Sequence, residues 1–284
     1  MELKLPDLEY ICPFPLLCNP LYEAARGESS AWVETFAHYA DNPRKRAFLR
    51  SSDLKRMASF AYPIADYEAL RVICDWFNGI FVVDELTDDQ TEEEAAKTMR
   101  AHLDGLFGSV GDQSIVYDMY KDIGSRLRRL FGGNAFKRFL TSSARYSQQV
   151  AREAKLRQED KVLSFDEYTI FRGPRAVLIS VWTSSKWSFA LSFRTRFSTI
   201  RCSRECMITW PGRTISTLTP LEYGTGHKNA NVLTVVMREK GVDLQTASDN
   251  SKHRPWDEAT MAHLRQPTSA VECWLSGIMV LRRR

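Results

Sequence analysis

The feature that most restricts this chain is an apolar run that ends in acid. Residues 64–88 carry Leu70, Ile73, Phe77, Ile80 and Phe81 at spacings close to the helical period, the pattern of a helix with a buried face. The run then closes on Phe81-Val-Val-Asp84-Glu85-Leu-Thr-Asp88-Asp89, without a basic residue among them. Such a helix needs a core packed around it, and its last turn sets a group of carboxylates at the rim of that core. Immediately afterwards Thr91-Glu-Glu-Glu-Ala-Ala places carboxylates where the first turn of a new helix favours them.

The flanking sequence extends the helical texture. From Pro20 onward, Tyr22-Glu-Ala-Ala-Arg and Ala31-Trp-Val-Glu-Thr-Phe-Ala-His-Tyr-Ala carry apolar residues three and four apart. Residues 113–158 continue with Ile115, Met119, Ile123 and Leu127, then Phe136, Phe139 and Leu140, while Arg126, Arg128 and Arg129 read as a solvated face. Residues 1–20 are proline-containing and without helical period, an extended strap. Past Arg172 the character changes: 173–221 is rich in Ser, Thr and Arg, its only acid is Glu205, and Ala176-Val-Leu-Ile-Ser-Val-Trp182 has the look of a strand. Helical texture returns in Asn231-Val-Leu-Thr-Val-Val-Met and Asp243-Leu-Gln-Thr-Ala.

Composition excludes several functions. The 284 residues are 44% hydrophobic, enough for one large core, and the formal charge of +4 gives no reason to invoke nucleic acid or an anionic membrane. No window of the sequence resembles a membrane span or a secretory leader, and the six cysteines follow no framework spacing, so a cytoplasmic chain with reduced thiols is expected. Cys202 and Cys206 lack a second pair to complete a zinc site. Gly224-Thr-Gly226 lacks the full spacing of a phosphate loop, and His227 has no Ser or Cys partner for nucleophilic catalysis.

The acids themselves admit two readings. On a helix Asp84 and Asp88 fall one turn apart on one face, with Glu85 beside them, and like charges so placed repel. Either water solvates an acidic helix end, or a hard divalent cation such as Mg2+ bridges the carboxylates to a phosphate ligand.

Several stretches together decide between them by resemblance. Trp76-Phe-Asn-Gly-Ile-Phe-Val-Val-Asp-Glu-Leu-Thr-Asp-Asp-Gln resembles the aspartate-rich segment of basidiomycete sesquiterpene synthases of the class I terpene cyclase family, notably protoilludene-type cyclases. Leu5-Pro-Asp-Leu-Glu-Tyr-Ile-Cys-Pro-Phe, Asn19-Pro-Leu-Tyr, Trp32 and Arg44-Lys-Arg-Ala-Phe-Leu look like the family's opening. Phe165-Asp-Glu-Tyr-Thr-Ile-Phe-Arg172 looks like the approach to its diphosphate-sensing arginine, and Asn229-Ala-Asn-Val-Leu-Thr-Val-Val-Met like the helix after its second metal motif. The similarity covers about 5–172 and 222–247.

The resemblance implies a single all-α domain over 1–284, a helical bundle around an apolar pocket. It implies up to three Mg2+ ions and farnesyl diphosphate as small-molecule substrate, in a monomer or weak homodimer. Carried over residue by residue, Asp84 would be the main metal ligand, supported by Glu85, Asp88 and Glu222. Arg172 would bind and sense diphosphate, and Phe77, Phe81 and Trp76 are candidates for the pocket wall or for plain core. The charge logic is that cations stabilise a departing diphosphate while a dry pocket shields the carbocation.

One part departs from the family. Its second metal motif sets Asn, Ser and Glu at i, i+4 and i+8, whereas the positions counted back from Glu222 hold Leu218 and Thr214, and Pro211 and Pro220 oppose a helix there. One set of codons for Arg213–Leu221, read from its third base, spells Asn-Asp-Ile-Tyr-Ser-Tyr-Ala-Leu, a second metal motif running into Glu222. Residues 173–221 are therefore read as translated out of frame, as is the tail from 248. The basic stretch with Trp182, Trp187 and Phe189 is then non-native sequence instead of a nucleic-acid patch. The expected function is Mg2+-dependent cyclisation of farnesyl diphosphate, impaired by the missing site, with an inactive remnant or a prenyl-diphosphate binder as the alternative.

Overall fold

A computed structural model describes residues 17–36, 42–112, 114–172, 229 and 231–250, and every regular element among them is an α-helix, as the all-α expectation requires. In chain order these are α1 (Tyr22–Glu34), α2 (Pro43–Ser52), α3 (Leu54–Ala61), α4 (Tyr67–Thr87), α5 (Glu92–Phe107), α6 (Ile115–Leu130), α7 (Gly133–Gln158), α8 (Phe165–Arg172), α9 (Val232–Lys240) and α10 (Leu244–Asn250). The readings of 1–16, of 173–228 and of 251–284 lie outside the described residues, including the strand suggested near Ala176.

The termini obey local chemistry. Asp66 precedes α4 in an extended conformation and its carboxylate accepts from Ala69 N–H. Thr91 and Glu94 form a reciprocal capping box at the start of α5, satisfying two otherwise orphaned donors. Gly108, at φ 71°, lets the chain turn left-handed out of α5. The apolar pattern over 113–158 does not announce that it holds two helices: Phe131 swings to φ −94°, ψ 140° and separates α6 from α7.

Helix α4 is the centre of the bundle. From Val72 to Gly79 every residue is buried, and α1, α3, α6 and α5 pack against it. Each large apolar side chain so removed from water contributes roughly 1.5–3 kcal/mol before ordering costs. Gly79 forms a notch for Tyr120 of α6, since a Cβ there would lie 3.1 Å from the phenol oxygen. Helices α5 and α6 approach even more closely: a Cβ on Gly105 would meet the Tyr117 carbonyl oxygen at 2.6 Å, and one on Gly124 the Leu106 backbone at 3.0 Å. A smaller core joins Leu156 of α7 and Leu163 to Tyr168 and Phe171 of α8, Leu233, Val235 and Val236 of α9, and Ala247 of α10.

Two of the arginines expected on a solvated face are structural instead. Arg126 lies 2.6 Å from the fully buried carboxylate of Asp75, which also pairs with Arg71 and accepts from Ser29 Oγ at 2.7 Å. Arg128 reaches over from α6 to donate to the Leu106 and Phe107 carbonyls, satisfying the open end of α5. Periodicity places both outside the apolar stripe; only the neighbouring helices give them partners.

Candidate active site

The acidic cluster forms in the last turn of α4. Asp84, Glu85 and Asp88 are all half-buried, Asp89 is exposed, and the Asp88 N–H donates to the Asp84 carbonyl at 3.0 Å, so both aspartates belong to one helical turn. Between them Thr87 is buried, its hydroxyl donating back to Val83 O at 2.9 Å. The helix therefore delivers its carboxylates at the boundary between core and surface, the position the sequence predicts.

Groups that periodicity did not single out complete the surroundings. On the core side stands Tyr120, whose phenol is pushed well up by burial, with the Tyr146 and Asp84 charges acting in the same direction. Its hydroxyl is buried and finds no hydrogen-bond partner among the described residues. Arg157, from the last turn of α7, donates through Nη2 to the Thr87 carbonyl at 2.6 Å. Burial lowers the affinity of this guanidinium for its proton, and the charges of Asp88, Asp84 and Asp89 oppose that shift. The sequence signal for Arg157 is weak: it is one of many basic residues on α7, and only the junction of α7 with α4 gives it a role.

The other candidates separate into core and periphery. Trp76 is 1% exposed and packs edge-on against Tyr120 and Phe139, with ring centroids 5.4 and 4.8 Å away. Phe77 is also buried in the main core, whereas Phe81, one turn before Glu85, is half-buried against it. Arg172 is the final residue of α8, and its side chain, like Glu222, Thr214 and Leu218, lies outside the described residues.

The donor set fits one kind of metal binding and not another. Among the described residues no three His, Cys, Asp or Glu side chains converge to hold an ion by themselves. Carboxylate oxygens on one helix turn nevertheless match Mg2+, which takes one or two protein carboxylates and completes its shell with water and phosphate oxygens. A cation shared with an anionic ligand suits this helix end; a closed protein cage does not. No helix among the described residues is long and apolar enough to cross a membrane.

An all-helical bundle with an acidic turn ending its central helix defines a class, and comparison with known proteins names it. The family model for terpene synthase family 2, C-terminal metal binding, matches residues 75–186, which takes in the acidic turn and α8 but stops before Glu222. The bifunctional terpene synthase Agr4 of Cyclocybe aegerita is 30% identical over 258 residues, covering 87% of this chain and 73% of that protein. A sesquiterpene synthase of Piloderma croceum is 29% identical, covering 81% and 68%. A Coprinopsis cinerea protein named linoleate 10R-lipoxygenase COP4 is 31% identical, covering 87% and 73%; its name differs from the terpene synthase names of the family model and of the two relatives above. Among solved structures, α-eudesmol synthase matches with TM-score 0.75 at 18% identity over 95% of this chain and 97% of that one. A single-substitution variant of cucumene synthase matches with TM-score 0.74 at 16% identity over 96% of each. The chain belongs to the terpene synthase family, and its fold is that of the class I enzymes.

Proposed function

We propose that this chain binds a prenyl diphosphate, farnesyl diphosphate by its resemblance to sesquiterpene synthases, through Mg2+ at the acidic end of α4, and that it turns that substrate over poorly. The observation that carries the reading is the half-buried turn holding Asp84, Glu85 and Asp88 at the end of the buried helix α4. Asp84 and Asp88 would hold the cation with Glu85 beside them, and Arg172 and Glu222 would serve the diphosphate and a further ion. When bound, Mg2+ supplies the positive charge that a departing diphosphate needs. The chain's own part is to fix the carboxylates at the half-buried edge of the core, where the electrostatic attraction is stronger than in bulk water. Phe81 stands on the apolar side of that boundary, suited to an isoprenoid tail.

Poor turnover follows from the second motif. Leu218 offers no oxygen donor and Thr214 stands where the family has Asn, so ions on that side lose protein ligands. Two measurements on purified protein separate binding from chemistry. Calorimetry with Mg2+ and inorganic diphosphate should show Mg2+-dependent binding that Asp84→Asn abolishes; no binding in the unsubstituted chain refutes the proposal. Product analysis with farnesyl diphosphate and Mg2+ should yield little or no sesquiterpene. Robust product formation would overturn the impaired reading, and binding without any product would favour a non-catalytic binder.

A further inference from the structure

The junction between α4 and α5 is held by a part of the fold that the metal reading does not use. A helix C-terminus leaves carbonyls unpaired and carries partial negative charge, so carboxylates gathered there strain the turn twice, against each other and against the helix. From Phe81 to Ala96 the sequence contains no Lys or Arg. The acidic end of α4 therefore has no cation of its own within reach in sequence.

The last turn of α7 provides one. Arg157 Nη2 donates to Thr87 O at 2.6 Å, across 70 positions of sequence, and its charge acts on Asp88, Asp84 and Asp89. The next residue, Gln158, accepts from the Glu92 N–H at 2.6 Å, closing the first turn of α5. Lys155 stands 3.5 Å from the Glu92 carboxylate, and Thr98 Oγ1 donates to Gln90 Oε1 at 2.9 Å within the same junction. One turn of α7 thus grips the end of one helix and the start of the next, with Asp88 and Asp89 between its two grips.

We propose that Arg157 is a positioning residue for the acidic end of α4, holding the Thr87 carbonyl and facing Asp84, Asp88 and Asp89 with a fixed positive charge, so that the turn stays wound before any cation arrives. The geometry stands without the metal reading; the purpose, a rim ready for Mg2+ and diphosphate, rests on it.

Amide hydrogen exchange of the full chain without metal tests the idea, comparing the unsubstituted protein with Arg157→Gln and Arg157→Lys. Peptides spanning 84–92 should exchange about tenfold faster in Arg157→Gln and about threefold faster in Arg157→Lys, while peptides from 133–150 stay unchanged. Affinity for Mg2+ with inorganic diphosphate should fall on the order of tenfold in Arg157→Gln and recover in part in Arg157→Lys. An unchanged rate over 84–92 overturns the proposal. Should Arg157→Gln fail to fold, Arg157→Lys alone decides, because lysine keeps the charge but lacks the planar fork. If the unsubstituted chain ignores Mg2+ and diphosphate while the substitutions still release 84–92, the positioning role stands and the metal reading falls.

Discussion

Helix α4 treats the carboxylates at its middle and at its end oppositely. At Asp75, in its middle, the side chain is fully buried and closed in by Arg71, Arg126 and Ser29. Burial pushes the Asp75 carboxyl up, and the two guanidiniums pull against that. At its end, Asp84, Glu85 and Asp88 sit half-buried beside Asp89 in a stretch whose own sequence supplies no cation. Inside a core, a charge is tolerated only with partners that compensate for its lost hydration. At the rim, water takes part of that role, so acids can be crowded together. The inner carboxylate is ion-paired within the core, whereas the outer acids stand at its edge.

The largest test of that contrast is Asp75→Ala. Removing the carboxylate leaves two guanidiniums facing the core with a partner gone, and stability should fall by about 3–5 kcal/mol in urea titration. A loss below about 1 kcal/mol would break the comparison, because it would mean that the inner cluster is as well solvated as the rim.

A second interior group sharpens it. His102 is fully buried against Trp76 and Tyr120, neither ring nitrogen has a hydrogen-bond partner among the described residues, and burial holds its pKa down to about 3, against an ordinary value of 6.5. The folded state therefore binds fewer protons than the unfolded chain between those values. Stability should decline as pH drops below about 6.5 and go on declining toward 3, by up to a few kcal/mol in all. Denaturation midpoints between pH 7 and 4 check this, and His102→Phe should flatten the decline; an equally steep decline in that variant would assign it to other groups.

The smallest expected effect lies at the rim. Asp84→Asn removes one of several like charges at a helix C-terminus, so stability should stay within about 0.5 kcal/mol or rise slightly. Thermal denaturation checks that, and the stabilisation conferred by Mg2+ with diphosphate should vanish in the same variant. A loss of several kcal/mol without metal would mean that Asp84 is a structural acid like Asp75.

Much of this architecture was legible in the chain itself. The apolar period of α4, the abrupt acids at its end, the carboxylates opening α5 and the Asn231 to Met237 helix all depend on residues near one another in sequence, and each appears where the pattern puts it. Those are local properties: a helix face repeats every few residues, and a terminus is governed by the groups within one turn of it. The rim residues Asp84, Glu85 and Asp88 were legible for the same reason, since one turn of helix brings them together.

What the linear pattern could not supply were the partners. Arg126 and Arg128 look like a solvated face until α4 and α5 pack against α6, and Arg157 looks like one more surface base until the end of α7 meets the end of α4. The sequence by itself determined the central helix, its neighbour α5 and where the acids gather, because these follow from residues close together in the chain. Only the tertiary structure decided which charges are closed off and which stay at an edge, because burial and long-range contact, not spacing, set the cost of an unpaired charge.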